Sequence, residues 1–241
     1  MQNLILDNIH YTNLDPMTVT WCATAQVRPI QPHYEQTADA HLSLSAPHIA
    51  RHQRQQQRAG VRLLLQALLE KMNIRDTLDE TSFPYRLTSS QYYVCFSHTG
   101  ASSQSNAAQL NKEKPFNRLD SLDNKVAVVI SCHRPVGIDI EANNVKWQVA
   151  QRFYHTNELA ILQALNSTQR DTVAKLLWQI KESFIKIRQY TLAQGLGMDY
   201  SAYIPELIKP VADTLHLPTI IDETSGYHIA AIVSQQTVII Y

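Results

Sequence analysis

Lys125-Val-Ala-Val-Val-Ile-Ser-Cys132, His133-Arg134-Pro135 and Val136-Gly-Ile-Asp-Ile-Glu141 read as a strand, a turn and a returning strand. The first run is apolar and β-branched, the proline marks the turn, and apolar and acidic residues alternate in the second run. Alternation sends Ile138 and Ile140 to the core and Asp139 and Glu141 together to the opposite face. Their Cα atoms then lie roughly 6.5–7 Å apart. Upstream, Tyr92-Tyr-Val-Cys-Phe-Ser-His98 reads as a strand with a polar tip. Before it, a helical pattern runs from about Ile49 to Met72, with Ala59, Arg62, Leu63, Leu65, Gln66 and Leu69 at spacings of three and four. Near the start, Leu4, Leu6 and Ile9 and then Thr18–Thr24 suggest strands on either side of an Asn-Leu-Asp-Pro turn. Downstream, one helix begins near Asn157 and another near Thr168, where Asp171 completes a capping-box-like start. The second runs on through Leu176 to Tyr190 and stops before Gly195. Tyr227–Val233 and Thr237–Tyr241 close the chain as strands.

Both halves thus place strands around one long helix. The expected fold is α+β, a pseudo-twofold two-lobed arrangement in which each lobe is an antiparallel sheet packed with a long helix. Residues 1–135 form the expected N-terminal lobe, with a polar surface loop over 99–124. Residues 136–241 form the expected C-terminal lobe. Pro29, Pro32 and Pro47 mark 29–47 as mostly loop.

Of the 241 residues, 44% are hydrophobic and 17% charged, which suits a folded globule and excludes a disordered chain. Basic and acidic side chains number 21 each, so net charge gives no case for nucleic-acid or membrane binding. The apolar runs fall far short of the roughly 18 residues a membrane span needs. The first residues lack the basic start and small-residue cleavage site of a signal peptide. Three scattered cysteines form neither a disulfide framework nor a CxxC site. The expectation is a reduced, cytoplasmic, monomeric protein.

Three short elements carry chemistry. Asp139 and Glu141, on one face of a strand, suit a shared hard cation such as Mg²⁺, although an alternating acidic strand is also an ordinary solvated face. In Trp178-Gln-Ile-Lys-Glu-Ser-Phe-Ile-Lys186, helical geometry puts Leu177, Ile180, Phe184 and Ile187 on one apolar stripe. Trp178, Glu182, Lys186 and Gln189 fall on the stripe beside it. Glu182 and Lys186 are one turn apart, which by itself describes a plain helix ion pair of about 0.2–0.5 kcal/mol. Lys181 falls on the apolar side and must either snorkel outward or reach something specific. Ser97-His98 at a strand end is the third element.

Together, Phe96-Ser97-His98, Val136–Glu141 and Trp178–Lys186 resemble the 4′-phosphopantetheinyl transferase superfamily, in particular its two-lobed type acting on peptide-synthetase, siderophore and fatty-acid carrier proteins. Arg152-Phe-Tyr-His-Thr-Asn-Glu158 resembles that family's helix entry. The resemblance implies transfer of the phosphopantetheine arm of coenzyme A to a serine of an apo carrier protein, releasing 3′,5′-ADP. It implies Asp139, Glu141 and Glu182 as Mg²⁺ ligands, with Glu182 and Lys186 as catalytic residues. Ser97, His98, Lys181, Arg58, Arg62 and Arg86 become the implied coenzyme A contacts. Three departures stand out. Pro84-Tyr-Arg-Leu87 replaces the Gly-Lys-Pro found about fifteen residues before the family's histidine. Val94-Cys95-Phe96 replaces the usual Asn-Ile or Asn-Leu, and 99–124 is longer than the family's short hairpin. A catalytically silent relative that binds coenzyme A or a carrier protein is the alternative reading. An unrelated protein whose acidic strand and charged helix are mere surface is a third.

Overall fold

The computed structural model describes residues 4–30, 46–99, 124–209, 219–222 and 225–241, with 46–50 and 219–220 as backbone only. Most of the loops expected over 29–47 and 99–124 lie outside the described residues.

The N-terminal half supplies strands β1 (Leu4–Asp15) and β2 (Thr20–Pro29), helix α1 (Ala46–Lys71), and strands β3 (Leu78–Asp79), β4 (Tyr85–Leu87), β5 (Tyr93–Thr99) and β6 (Asn124–Ser131). These strands form one antiparallel sheet in the order β1-β2-β6-β5-β4-β3. The C-terminal half supplies β7 (Gly137–Ile140), α2 (Trp147–Phe153), α3 (Thr156–Ala164), α4 (Ser167–Arg188), α5 (Leu192–Leu196), α6 (Ile204–Ile208), β8 (Thr219–Asp222), β9 (Tyr227–Ile232) and β10 (Thr237–Ile240). Its four strands pair antiparallel in the order β7-β10-β9-β8. The α+β fold of two lobes, each a sheet with a long helix, is therefore present. Among the described residues no helix is long and apolar enough to cross a membrane.

The layers run helix, sheet, sheet, helix. Strand alternation explains the order. On β6, Val126, Val128 and Ile130 face α1 and meet Val61, Leu64, Leu65, Leu68 and Leu69. Ala127 and Val129, one residue out of phase, pack with Cys22 and Cys95 against Ile138, Ile140, Ala230, Ile232 and Ile239 of the second sheet. The central strand is thus buried on both faces, which is why it reads as a continuous apolar run. The far face of the second sheet packs on Ile180, Phe184 and Ile187 of α4, three of the four residues of the expected stripe. Leu177, the fourth, is equally buried but faces α2 and α3.

Some local expectations shift. On α1, only Leu65 and Leu69 of the six periodic residues are buried; the buried stripe starts at Gln56 and Gln57 and its apolar part at Val61. α4 is capped by Asn166, whose side chain accepts from the Gln169 N–H, so Thr168 and Asp171 already lie inside the helix. Asp139 does not sit on a solvated face: all four residues of β7 are buried.

Gly137 sets how closely β7 approaches α4. A Cβ there would stand 2.2 Å from the Ser183 carbonyl oxygen, a backbone atom that cannot swing aside. Gly137→Ala is expected to push β7 off the helix and cost about 1–3 kcal/mol, as overpacking does. A urea titration of both proteins measures it, and an unchanged midpoint would show that the contact relaxes freely.

Candidate active site

The site is built where β5 of the first lobe meets β7 and α4 of the second. Ser97 and Thr99 are two residues apart on one face of β5, and Asp139 and Glu141 are two residues apart at the end of β7. They match in register: the Ser97 hydroxyl donates to Asp139 Oδ1 at 2.9 Å, and the Thr99 hydroxyl donates to Glu141 Oε1 at 3.2 Å. Ser97 Oγ also accepts from the Ile140 N–H at 3.2 Å. Each carboxylate of one lobe is therefore held by a hydroxyl of the other.

From α4, Lys186 Nζ donates to the Ile138 carbonyl at 2.6 Å and to Asp139 Oδ1 at 3.1 Å. Glu182 is half-buried one turn earlier. Burial raises the Asp139 carboxyl above the usual range; Lys186 and Ser97 oppose that rise, and Glu141 adds to it. Burial likewise raises Glu182, with Asp139 and Glu141 pushing it further up while Lys186 pulls it back. Burial works against the Lys186 charge, yet Asp139, Cys95 and Glu182 leave its pKa above that of a free lysine. Three carboxylates thus feel one another in a partly desolvated place, with Lys186 acting on Asp139 and Glu182 and Lys175 interacting with Glu141.

These hard oxygen donors, Asp139 buried and Glu141 and Glu182 half-buried, fit a divalent cation of the oxygen-seeking kind. Among the described residues, no group of three or more His, Cys, Asp or Glu side chains has the spacing to hold a metal. Asp139 instead spends its Oδ1 on Ser97 and Lys186. The donor chemistry of Asp139, Glu141 and Glu182 fits such an ion.

The implied coenzyme A contacts divide. His98 lies on the opposite face of β5 from Ser97, toward α1. Its side chain reaches solvent, yet partial desolvation and then the charges of Lys186 and Arg58 lower its pKa, so the field of Arg58 extends to His98. Arg62, one turn along α1, is bound by Glu80 through both Nε and Nη2 and donates to the Arg58 carbonyl. Arg86 pairs with Tyr93 across β4 and β5, its guanidinium 4.3 Å from the ring centre and its Nη2 donating to the Tyr93 hydroxyl. Tyr93 and His98 are five residues apart on β5, about 17 Å at strand rise, and face opposite ways. The structure therefore does not bring Arg86 to His98.

Two expectations need correcting. Ser97 is buried, with its hydroxyl committed to Asp139 and Ile140, so it acts inside the junction rather than toward a ligand. Lys181 is fully buried, with its ammonium 2.9 Å from Glu158 Oε1 and hydrogen-bonded to the carbonyls of Leu196 and Met198. Glu158 also accepts from the backbone N–H groups of His155 and Tyr200. Lys181 thus reaches a specific partner, but that partner is an internal strut tying α3, α4 and the segment after α5. Thr99 and Gln179, whose amide donates to the Asp139 carbonyl at 3.2 Å, were missed. For Thr99 the signal was available, because a hydroxyl two residues past Ser97 mirrors the spacing of Asp139 and Glu141.

Comparison with known proteins supports the resemblance over the second lobe. Residues 135–224 match the family model described as the 4′-phosphopantetheinyl transferase superfamily. The 4′-phosphopantetheinyl transferase gsp of Aneurinibacillus migulanus is 40% identical over 84 residues, covering 34% of this chain. The match spans 31% of that relative's length, so it is a partial one. The matched family region contains Asp139, Glu141, Glu158, Lys181, Glu182 and Lys186, whereas Ser97, His98 and the arginines precede it.

Removing one partner of a buried ion pair strands the other charge. Lys181→Met is expected to destabilise the protein by about 3–5 kcal/mol. Restoring most of that stability with Lys181→Met combined with Glu158→Gln would identify the stranded Glu158 as the cause. Denaturation that is unaltered in the single variant would contradict the strut.

Proposed function

We propose that the protein is a Mg²⁺-dependent 4′-phosphopantetheinyl transferase that moves the phosphopantetheine arm of coenzyme A onto a serine of an apo acyl or peptidyl carrier protein. The observation that carries this reading is the register match of Ser97 and Thr99 with Asp139 and Glu141, beside Glu182 and Lys186. The sequence match over 135–224 supports it independently.

The reaction joins the serine oxygen to the phosphorus bearing the pantetheine arm and breaks the bond from that phosphorus to 3′,5′-ADP. The obstacle is electrostatic, because an anionic pyrophosphate repels an oxygen that gains negative charge as it loses its proton. Mg²⁺, held by Asp139, Glu141 and Glu182, would supply charge neutralisation on the pyrophosphate. Glu182 takes the serine proton, directly or through a water that it orients. Lys186 stays an ammonium and neutralises charge on the departing phosphate. Ser97 and Thr99 keep two of the carboxylates in place from the first lobe. His98 and Arg58 form the cationic end that receives a coenzyme A phosphate. Because both lobes of one chain supply the site, a monomer suffices, and the protein works in the cytoplasm, where coenzyme A is available.

Incubation with coenzyme A, Mg²⁺ and several apo carrier proteins, followed by intact-mass measurement of the carriers, tests the activity. A gain of one phosphopantetheine is expected, and Glu182→Gln is expected to lose at least about 100-fold in rate while remaining folded. No gain on any carrier would favour the catalytically silent alternative.

A pH dependence follows from His98. Partial desolvation and the charges of Lys186 and Arg58 hold the pKa of this solvent-reaching ring below its ordinary value of 6.5. An arriving phosphate reverses the local field and favours the protonated ring, so binding takes up a proton. Coenzyme A affinity should therefore rise as pH falls from 8 toward about 6. Calorimetric titration across that range should show the slope in the wild type and a flatter one in His98→Ala. Equal slopes would remove His98 from the phosphate site.

A further inference from the structure

Gln179 lies on α4 one turn before Glu182 and is 1% exposed. Its amide nitrogen has two hydrogens and makes two bonds, to the Asp139 carbonyl at 3.2 Å and to the Gln236 carbonyl at 2.7 Å. The Gln236 carbonyl is in turn the acceptor for the Glu141 N–H at 3.0 Å. One amide on α4 therefore grips the main chain of Asp139 and the main-chain acceptor that holds Glu141.

The far side of this node is anchored as well. Gln236 sits in the left-handed region at φ 55°, a conformation a glutamine adopts only when its surroundings enforce it. Its side-chain oxygen accepts from Lys125 Nζ of β6 at 2.6 Å, while the adjacent Gln235 accepts from the Thr24 hydroxyl of β2 at 3.0 Å. The turn before β10 is thus pinned to the first lobe by side chains and to α4 by Gln179. A residue whose only task was to fill this space would be apolar, because a buried amide must find partners for every donor.

We infer that Gln179 is a positioning residue that fixes Asp139 and Glu141 relative to Glu182, setting the affinity of the carboxylate cluster for its divalent ion. This rests on the function proposed above. Glu182 follows three residues later on the same helix, so a shift of β7 against Gln179 changes the separation of Asp139 and Glu141 from Glu182. Gln179 touches neither substrate nor ion; it acts through the main chain of the residues that do.

The probe is Mn²⁺, whose free concentration is read by electron paramagnetic resonance with the full-length protein. Gln179→Met keeps the side-chain length and removes both donors; Gln179→Asn keeps an amide that is one methylene too short to hold both carbonyls. In Gln179→Met, the Mn²⁺ dissociation constant is expected to rise about 10- to 100-fold, the range seen when a group supporting metal ligands is lost. At sub-saturating Mg²⁺ the kcat/KM for coenzyme A is expected to fall by a similar factor, because the same ion meets the pyrophosphate, and saturating Mg²⁺ is expected to restore most of it. Gln179→Asn should fall between, and it decides the matter if the methionine variant does not fold. A folded variant that binds Mn²⁺ within about twofold of wild type, whatever its thermal midpoint, overturns the positioning role. Wild-type protein that neither binds Mn²⁺ nor transfers overturns the proposed function, and this inference with it.

Discussion

Buried negative charge is the constraint around which the second lobe is organised. Asp139 lies in a strand whose four residues are all buried, and a carboxylate there is tolerable only if its oxygens find donors. Those donors come from two sides, Ser97 from the opposite lobe and Lys186 from α4, while Gln179, also on α4, holds the main-chain carbonyl of the same residue. The glycine at 137 lets the strand lie against the helix closely enough for this to happen. Packing and electrostatics are inseparable here, since the close approach that buries Asp139 also brings the ammonium that makes its burial possible.

Lys181 and Lys186 show how one helix uses the same residue type for two ends. Lys181 is sealed inside with Glu158, two main-chain carbonyls and the rings of Tyr154 and Tyr200, so its charge is wholly consumed by structure. Lys186 has one carbonyl and one carboxylate and keeps 23% of its side chain exposed. The first makes the helix rigid; the second leaves an ammonium at the edge of a cluster that a phosphate could share.

The strand-turn-strand at 125–141 was legible because its information is local: β-branched runs, a proline, and alternation. The long helices were legible for the same reason, though the register of α1 was not. Arg62, Leu63 and Gln66 fit a helical spacing, and only packing decides that Val61, Leu64 and Leu68 face inward. The start of α4 went to Asn166 because a cap is chosen by whichever side chain reaches the free N–H groups, and Asn166 reaches Gln169. Short α2, α5 and α6 left little trace, being held by contacts rather than by propensity. At the site, spacing put Asp139 and Glu141 on one face and Glu182 one turn from Lys186, and only the family resemblance implied that the three act together. What holds them was not legible, because Ser97 to Asp139 spans 42 positions and Gln179 to Gln236 spans 57.

The central claim is that Asp139, Glu141 and Glu182 surround one divalent ion at the junction of the lobes, next to the coenzyme A pyrophosphate. A crystal structure of the protein with Mg²⁺ and coenzyme A tests it most directly. The account predicts one ion with oxygens of all three residues at about 2.0–2.1 Å and the remaining positions taken by water and pyrophosphate. An ordered coenzyme A whose pyrophosphate lies elsewhere, or an ion that leaves these carboxylates bonded as they are now, would contradict it.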